Sequence, residues 1–121
     1  MDNLDAYADF KSTLDVPDGL GRVMNNKKLY LRLLSAFKGP KMAEDITDAI
    51  ESGDQAKIQQ AAHTLKGVCA NLGMPDLTEI SLQIELRSKA EEPTGDLVAP
   101  LNKAVEDVMS VIERIVAAEA G

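Results

Sequence analysis

The chain has 121 residues, enough for one domain around one hydrophobic core and too few for two. Thirteen basic residues against twenty acidic ones leave a formal net charge of −7 with no basic stripe, which argues against nucleic acid and against an anionic membrane surface. Hydrophobic residues make up 45% of the chain but aromatics only 3%, so the core must be aliphatic, as suits packed helices.

Residues 1–14 place Leu4, Tyr7, Phe10 and Leu14 at helical spacing. This N-terminal extension is expected to be helical, with residues 15–121 forming the domain proper. Asp15-Val16-Pro17-Asp18-Gly19 breaks the first pattern, and Asp18 is the expected cap of a short helix ending near Met24. Asn26 then caps a helix in which Tyr30, Leu33, Leu34 and Phe37 face inward. Lys38-Gly39-Pro40 interrupts it, because Pro40 has no backbone donor and disfavours a helical Gly39. Apolar positions resume out of phase at Met42, Ile46, Ala49 and Ile50, which predicts a kink or short loop with helix on both sides.

Gly53 is the expected C-cap of that segment, and Asp54 the N-cap of the next, which runs to Gly73. Pro75 opens a further helix with Leu77, Ile80 and Ile84 on one face; Leu86 is a weaker core candidate. Residues 91–95 read as a loop. From about Asp96, Leu101, Val105, Val108, Ile112 and Ile115 form the cleanest amphipathic seam, with Pro100 in its first turn. No segment alternates with a period of two, and no repeat or low-complexity tract is present. The predicted fold is all-α: an antiparallel up-down four-helix bundle with an additional short N-terminal helix or helices.

The run from Asp54 to Gly73 organises the chain. Ile58, Ala61, Leu65, Val68 and Leu72 are spaced as the seam of an amphipathic helix. At about 100° per residue, His63, the only histidine, lies roughly 180° from that seam and points out of the core. A lone histidine is more often a core filler or an idle surface residue, and the helical phase removes the first of these. Its outward neighbours are Ala56, Gln59, Lys66, Gly67 and Ala70, three of them with almost no side chain. Gly67 costs about 1 kcal/mol relative to alanine inside a helix, which points to something approaching closely there. Lys66 sits one turn on, near enough to share a ligand with His63. By the same phase Cys69 falls about 60° from the seam and is expected to be partly buried.

His63-Thr64-Leu65-Lys66-Gly67, followed by Ala70-Asn71-Leu72-Gly73, resembles the signature of histidine-containing phosphotransfer (HPt) domains. The upstream stretch from Gly19-Leu20 to Leu29-Tyr30-Leu31-Arg32-Leu33-Leu34-Ser35-Ala36-Phe37 is also similar to that family, so the resemblance covers roughly residues 15–117. Between Phe37 and Asp54 the chain is shorter than the family's usual pattern. The resemblance implies a helical bundle that accepts a phosphoryl group on His63 from a phospho-aspartyl receiver domain and passes it to another. The implied partners are response-regulator receiver domains or a hybrid histidine kinase, with Mg on the receiver and no cofactor or metal of the chain's own.

The residues fit that chemistry. A nucleophilic histidine must be neutral, and a free imidazole is largely so above about pH 6.5. The Lys66 ammonium would hold an attached phosphoryl group by charge-assisted hydrogen bonds, and Gln59 could bond its oxygens or the ring. Ala56, Gly67 and Ala70 would form the bare surface on which a receiver docks. No G-x-x-x-x-G-K-[ST] loop, H-E-x-x-H or E-x-x-H spacing is present, so a phosphocarrier is expected and not a kinase or metalloenzyme. A kinase phosphoacceptor or dimerisation fragment would carry an acidic residue and then a proline after the histidine, where this chain has Thr64 and no helical proline. A non-catalytic adaptor bundle with a vestigial histidine is the other alternative, opposed by the joint presence of Lys66, Gly67 and the small alanines.

One cysteine precludes an internal disulfide, no apolar run reaches the roughly 20 residues of a membrane span, and no signal peptide opens the chain. A soluble, cytoplasmic, free-standing monomer is the expectation.

Overall fold

The computed structural model describes residues 11–120. The helix expected from Leu4, Tyr7 and Phe10 lies outside the described residues; residues 11–13 form a turn, and Leu14 is buried in the core. Six α-helices follow: α1 (Val16–Arg22), α2 (Lys27–Ser35), α3 (Gly39–Ser52), α4 (Gln55–Leu72), α5 (Pro75–Lys89) and α6 (Val98–Ala120). A 3-10 turn, Gly95–Leu97, leads into α6, and the described residues contain no strand.

Local chemistry sets the boundaries. The Asn26 carboxamide accepts from the Leu29 amide at 3.0 Å, and the Asp54 carboxylate accepts from the Lys57 amide at 3.2 Å. Helices α3 and α4 each end on a glycine in the left-handed conformation, Gly53 at φ 74° and Gly73 at φ 78°. Pro40 and Pro75 stand in the first turns of α3 and α5, where a missing backbone donor costs nothing. The break expected at Lys38-Gly39-Pro40 falls slightly earlier: residues 36–38 form a short connection between α2 and α3, and Gly39 and Pro40 already belong to the first turn of α3, where the proline needs no backbone donor. One cap differs from expectation. Asp15 and not Asp18 caps α1, its carboxylate accepting from the Asp18 amide at 3.2 Å, because Pro17 already belongs to the helix.

Helices α3 to α6 pack in a closed ring, each against its sequence neighbour and α3 against α6. Short connections make them an antiparallel four-helix bundle. The α4–α5 pair, joined by a two-residue turn, is the most extensive contact. Helices α1 and α2 cover one end, where α1 touches α4 and α2 touches both α4 and α6. Their anchorage is specific. The buried Tyr30 hydroxyl donates to the Leu72 carbonyl at 2.8 Å, the Asp15 amide to the Gly73 carbonyl at 2.6 Å, and the Asp76 amide to the Ser12 carbonyl at 2.9 Å. Burial raises the Tyr30 phenol above its ordinary pKa, with Asp15 and Asp18 adding to the effect.

The aliphatic core draws on every helix, with Leu101, Val105, Val108, Ile112 and Ile115 of α6 all buried as the seam predicts. Leu33 departs from expectation. It is 37% exposed and lines an open apolar groove beside Val23, Phe37, Met42 and Val68, while Tyr30 and Leu34 take the inward positions of α2. Among the described residues no helix is long and apolar enough to cross a membrane.

Candidate phosphotransfer site

His63 sits in the middle of α4, with its side chain 69% exposed. Leu65 is fully buried beneath it, whereas Val68 is half-buried against the core. The buried stripe of α4 comprises Ile58, Ala62, Leu65, Cys69 and Leu72. Ala62 and Cys69 thus take the places expected for Ala61 and Val68. The stripe is rotated toward α5 because α5 is the helix that α4 packs on most closely. Cys69 is accordingly buried in full, and that burial pushes its thiol up to about 12, leaving it without thiolate at neutral pH.

The imidazole is exposed but not clear of its surroundings. Its Nδ1 lies 2.5 Å from Oε2 of Glu85 on α5. The Lys66 ammonium donates to Oε1 of the same carboxylate at 2.6 Å. Glu85 is therefore shared between the two residues singled out on α4. Its side chain is only 4% exposed, hidden at the surface by the groups it binds. The Lys66 ammonium holds the Glu85 carboxyl below the usual glutamate range, against the opposing effect of desolvation, with help from His63. An ionised carboxylate can only accept, so Nδ1 carries the imidazole proton and donates it. In the neutral ring this leaves the lone pair on Nε2, on the ring edge away from Glu85.

Sequence reasoning missed Glu85. Leu77, Ser81, Ile84 and Ser88 define the buried face of α5, and Glu85 is the residue after Ile84 and four after Ser81. Ser81 and Ser88 return their hydroxyls to the carbonyls of Leu77 and Glu85, so their burial needs no outside partner. An apolar count passes over such a face. The available signal was the carboxylate itself, one helix on from an outward His–Lys pair. Leu86, by contrast, is 48% exposed.

The other site residues divide into two places. Ala56 and Gln59 line a shallow depression with Gln60, His63, Glu85 and Lys89. Ala70 lies about 10 Å farther along the helix axis, in a separate depression with Asp18, Arg22 and Met74. Gly67 is exposed, and a Cβ added there would meet no atom within 4 Å. Among the described residues nothing requires a glycine at that position. Among the described residues no cluster of three His, Cys, Asp or Glu side chains could hold a metal ion.

The family model of the Hpt domain matches residues 37–114, which is most of the chain and includes the whole of α3, α4 and α5. The chain belongs to the Hpt domain family. Helices α1 and α2 precede the matched residues. The fold of this Hpt domain is similar to that of the HPt domain from a sensor hybrid histidine kinase of Shewanella, with a TM-score of 0.78. That likeness covers 88% of this chain and 96% of the other at 23% identity, and it speaks for the fold alone. Among curated proteins none matches the chain. Family membership makes the chain a phosphotransfer module of two-component signalling.

Proposed function

We propose that this Hpt domain is a phosphorelay intermediate in which His63 accepts a phosphoryl group from the phospho-aspartate of a receiver domain and passes it to another receiver. The observation that carries the reading is the His63–Glu85 pair: an exposed mid-helix imidazole whose Nδ1 is engaged, so that Nε2 is the available nucleophile. Attack of Nε2 on phosphorus forms the N–P bond as the P–O bond to the aspartate breaks, its electron pair returning to the carboxylate. Lys66 keeps two ammonium protons beyond its bond to Glu85, enough to reach a phosphoryl oxygen. Gln59 is a second donor in the same depression. Ala56 and Gly67 offer the bare helix on which a receiver and its Mg would settle, and Ala70 would meet only the outer edge of such a partner.

The test is incubation of the chain with a phosphorylated receiver domain, followed by acid and base treatment of the label. Transfer to His63 gives an acid-labile, base-stable label. His63→Gln should take none while keeping its helical content, since a glutamine amide can still donate to Glu85 and exposed substitutions usually shift stability by less than about 0.5 kcal/mol. A labelled His63→Gln variant refutes the assignment, and an unlabelled parent favours an adaptor bundle.

A further inference from the structure

Orienting Nδ1 requires only an acceptor, which an amide oxygen would supply; Glu85 is a nearly buried carboxylate instead. What a carboxylate adds is a full negative charge 2.5 Å from the ring. That charge matters most when the ring is positive, and the ring of the proposed relay becomes positive once Nε2 is phosphorylated with the proton still on Nδ1. We propose that the Glu85 carboxylate retains the Nδ1 proton on phosphorylated His63 and thereby keeps the phosphoryl group transferable; the inference rests on the relay reading above.

The outgoing step shows why. A receiver aspartate oxygen attacks phosphorus, the new O–P bond forms, and the N–P bond breaks with its electron pair returning to Nε2. If Nδ1 has kept its proton, the ring leaves as neutral imidazole and no further proton is needed. If that proton has been lost, the ring must leave as imidazolate, a far poorer leaving group. Among the described residues the charged groups around the ring are Glu85 and Lys89 from α5 and Lys66 from α4, with neutral Gln59 and Gln60 completing the depression. Glu85 is the negative one, and Lys66 draws on the same carboxylate from its other oxygen.

The experiment loads His63 of the full chain with phosphoramidate, a small phosphoryl donor that needs no receiver. The ring is the only imidazole in the chain, so nitrogen-15 spectra report the pH at which Nδ1 loses its proton without overlap. In Glu85→Gln that midpoint should fall by about one pH unit or more, a tenfold change in the protonation equilibrium. Loss of phosphate to water at pH 8, which uses the same leaving group, should slow severalfold. Lys66→Met should move the midpoint the other way, because a cation is removed and the carboxylate is no longer shared. An unchanged or raised midpoint in Glu85→Gln overturns the proposal. Should that variant not fold, an unchanged or lowered midpoint in Lys66→Met does so. Failure of the relay reading looks different: His63 would load chemically yet exchange no phosphoryl group with phosphorylated receivers.

Discussion

Gly67 and Gly19 both stand inside helices, and alanine is expected to act on them in opposite directions. A Cβ at Gly19 would lie 2.5 Å from the Tyr30 ring and 2.6 Å from the Leu72 carbonyl, so Gly19→Ala should destabilise the domain by about 1–3 kcal/mol through overpacking. A Cβ at Gly67 meets nothing, so Gly67→Ala should stabilise it by up to about 1 kcal/mol through helix propensity. Gly67→Leu should likewise fold well yet slow phosphoryl transfer strongly by holding the receiver away from His63. Thermal melts read the first two effects and transfer rates from one phospho-receiver the third. A Gly67→Leu variant as fast as the parent would remove Gly67 from the docking surface. Glu85 leads to a pH dependence of stability. Its folded-state pKa is depressed, so the unfolded chain, with the ordinary value near 4.5, binds the proton more readily. Its contribution is complete above that value and is lost as pH falls through the lower folded one. The Glu85→Gln variant should therefore lose less stability than the parent as the pH falls below the ordinary value of 4.5, as read by chemical denaturation at each pH.

At the level of the helix, the sequence pattern placed all four bundle helices and their glycine and proline boundaries, because caps act through residues a few positions apart. It also put His63 outward, since the opposite face of α4 is apolar whichever neighbour it meets. What it misjudged depends on the neighbour. Ala62 and Cys69 are buried ahead of Ala61 and Val68 because α5 approaches from their side, and Leu33 opens onto a groove because α2 lies across the bundle end. Glu85 escaped notice for the same reason: its role exists only once α5 lies beside α4. The Tyr30 hydroxyl is another long-range contact, meeting the carbonyl at the end of α4 from forty-two residues away. Tyr30→Phe keeps the ring and removes the donor, so the Leu72 carbonyl loses its tertiary hydrogen bond. The expected cost is about 1–3 kcal/mol, with a lowered melting temperature and faster amide exchange at the α4–α5 turn. A variant with unchanged stability would mean that water satisfies Leu72 equally well.

Across the whole molecule, the matched Hpt region and the folding unit do not coincide. The family match begins at Phe37, but Leu14, Val16, Tyr30 and Leu34 from the preceding residues are buried in the same core as α3 to α6. Removing residues 1–36 would uncover the surfaces of α4 and α6 on which those side chains pack. It would also strip three backbone groups at the α4–α5 turn of their partners: the Leu72 carbonyl loses Tyr30, the Gly73 carbonyl loses Asp15, and the Asp76 amide loses Ser12. Each fully buried aliphatic side chain contributes about 1.5–3 kcal/mol, and a domain of this size is stable by only about 5–15 kcal/mol in all. A fragment spanning residues 37–121 should therefore unfold at a much lower denaturant concentration than the full chain, or bind a hydrophobic dye as a loosened bundle. It should also transfer phosphoryl groups poorly, although every residue of the His63–Glu85–Lys66 cluster remains in it. Equal denaturant midpoints for fragment and full chain would show that α1 and α2 are an appendage and not part of the folding unit.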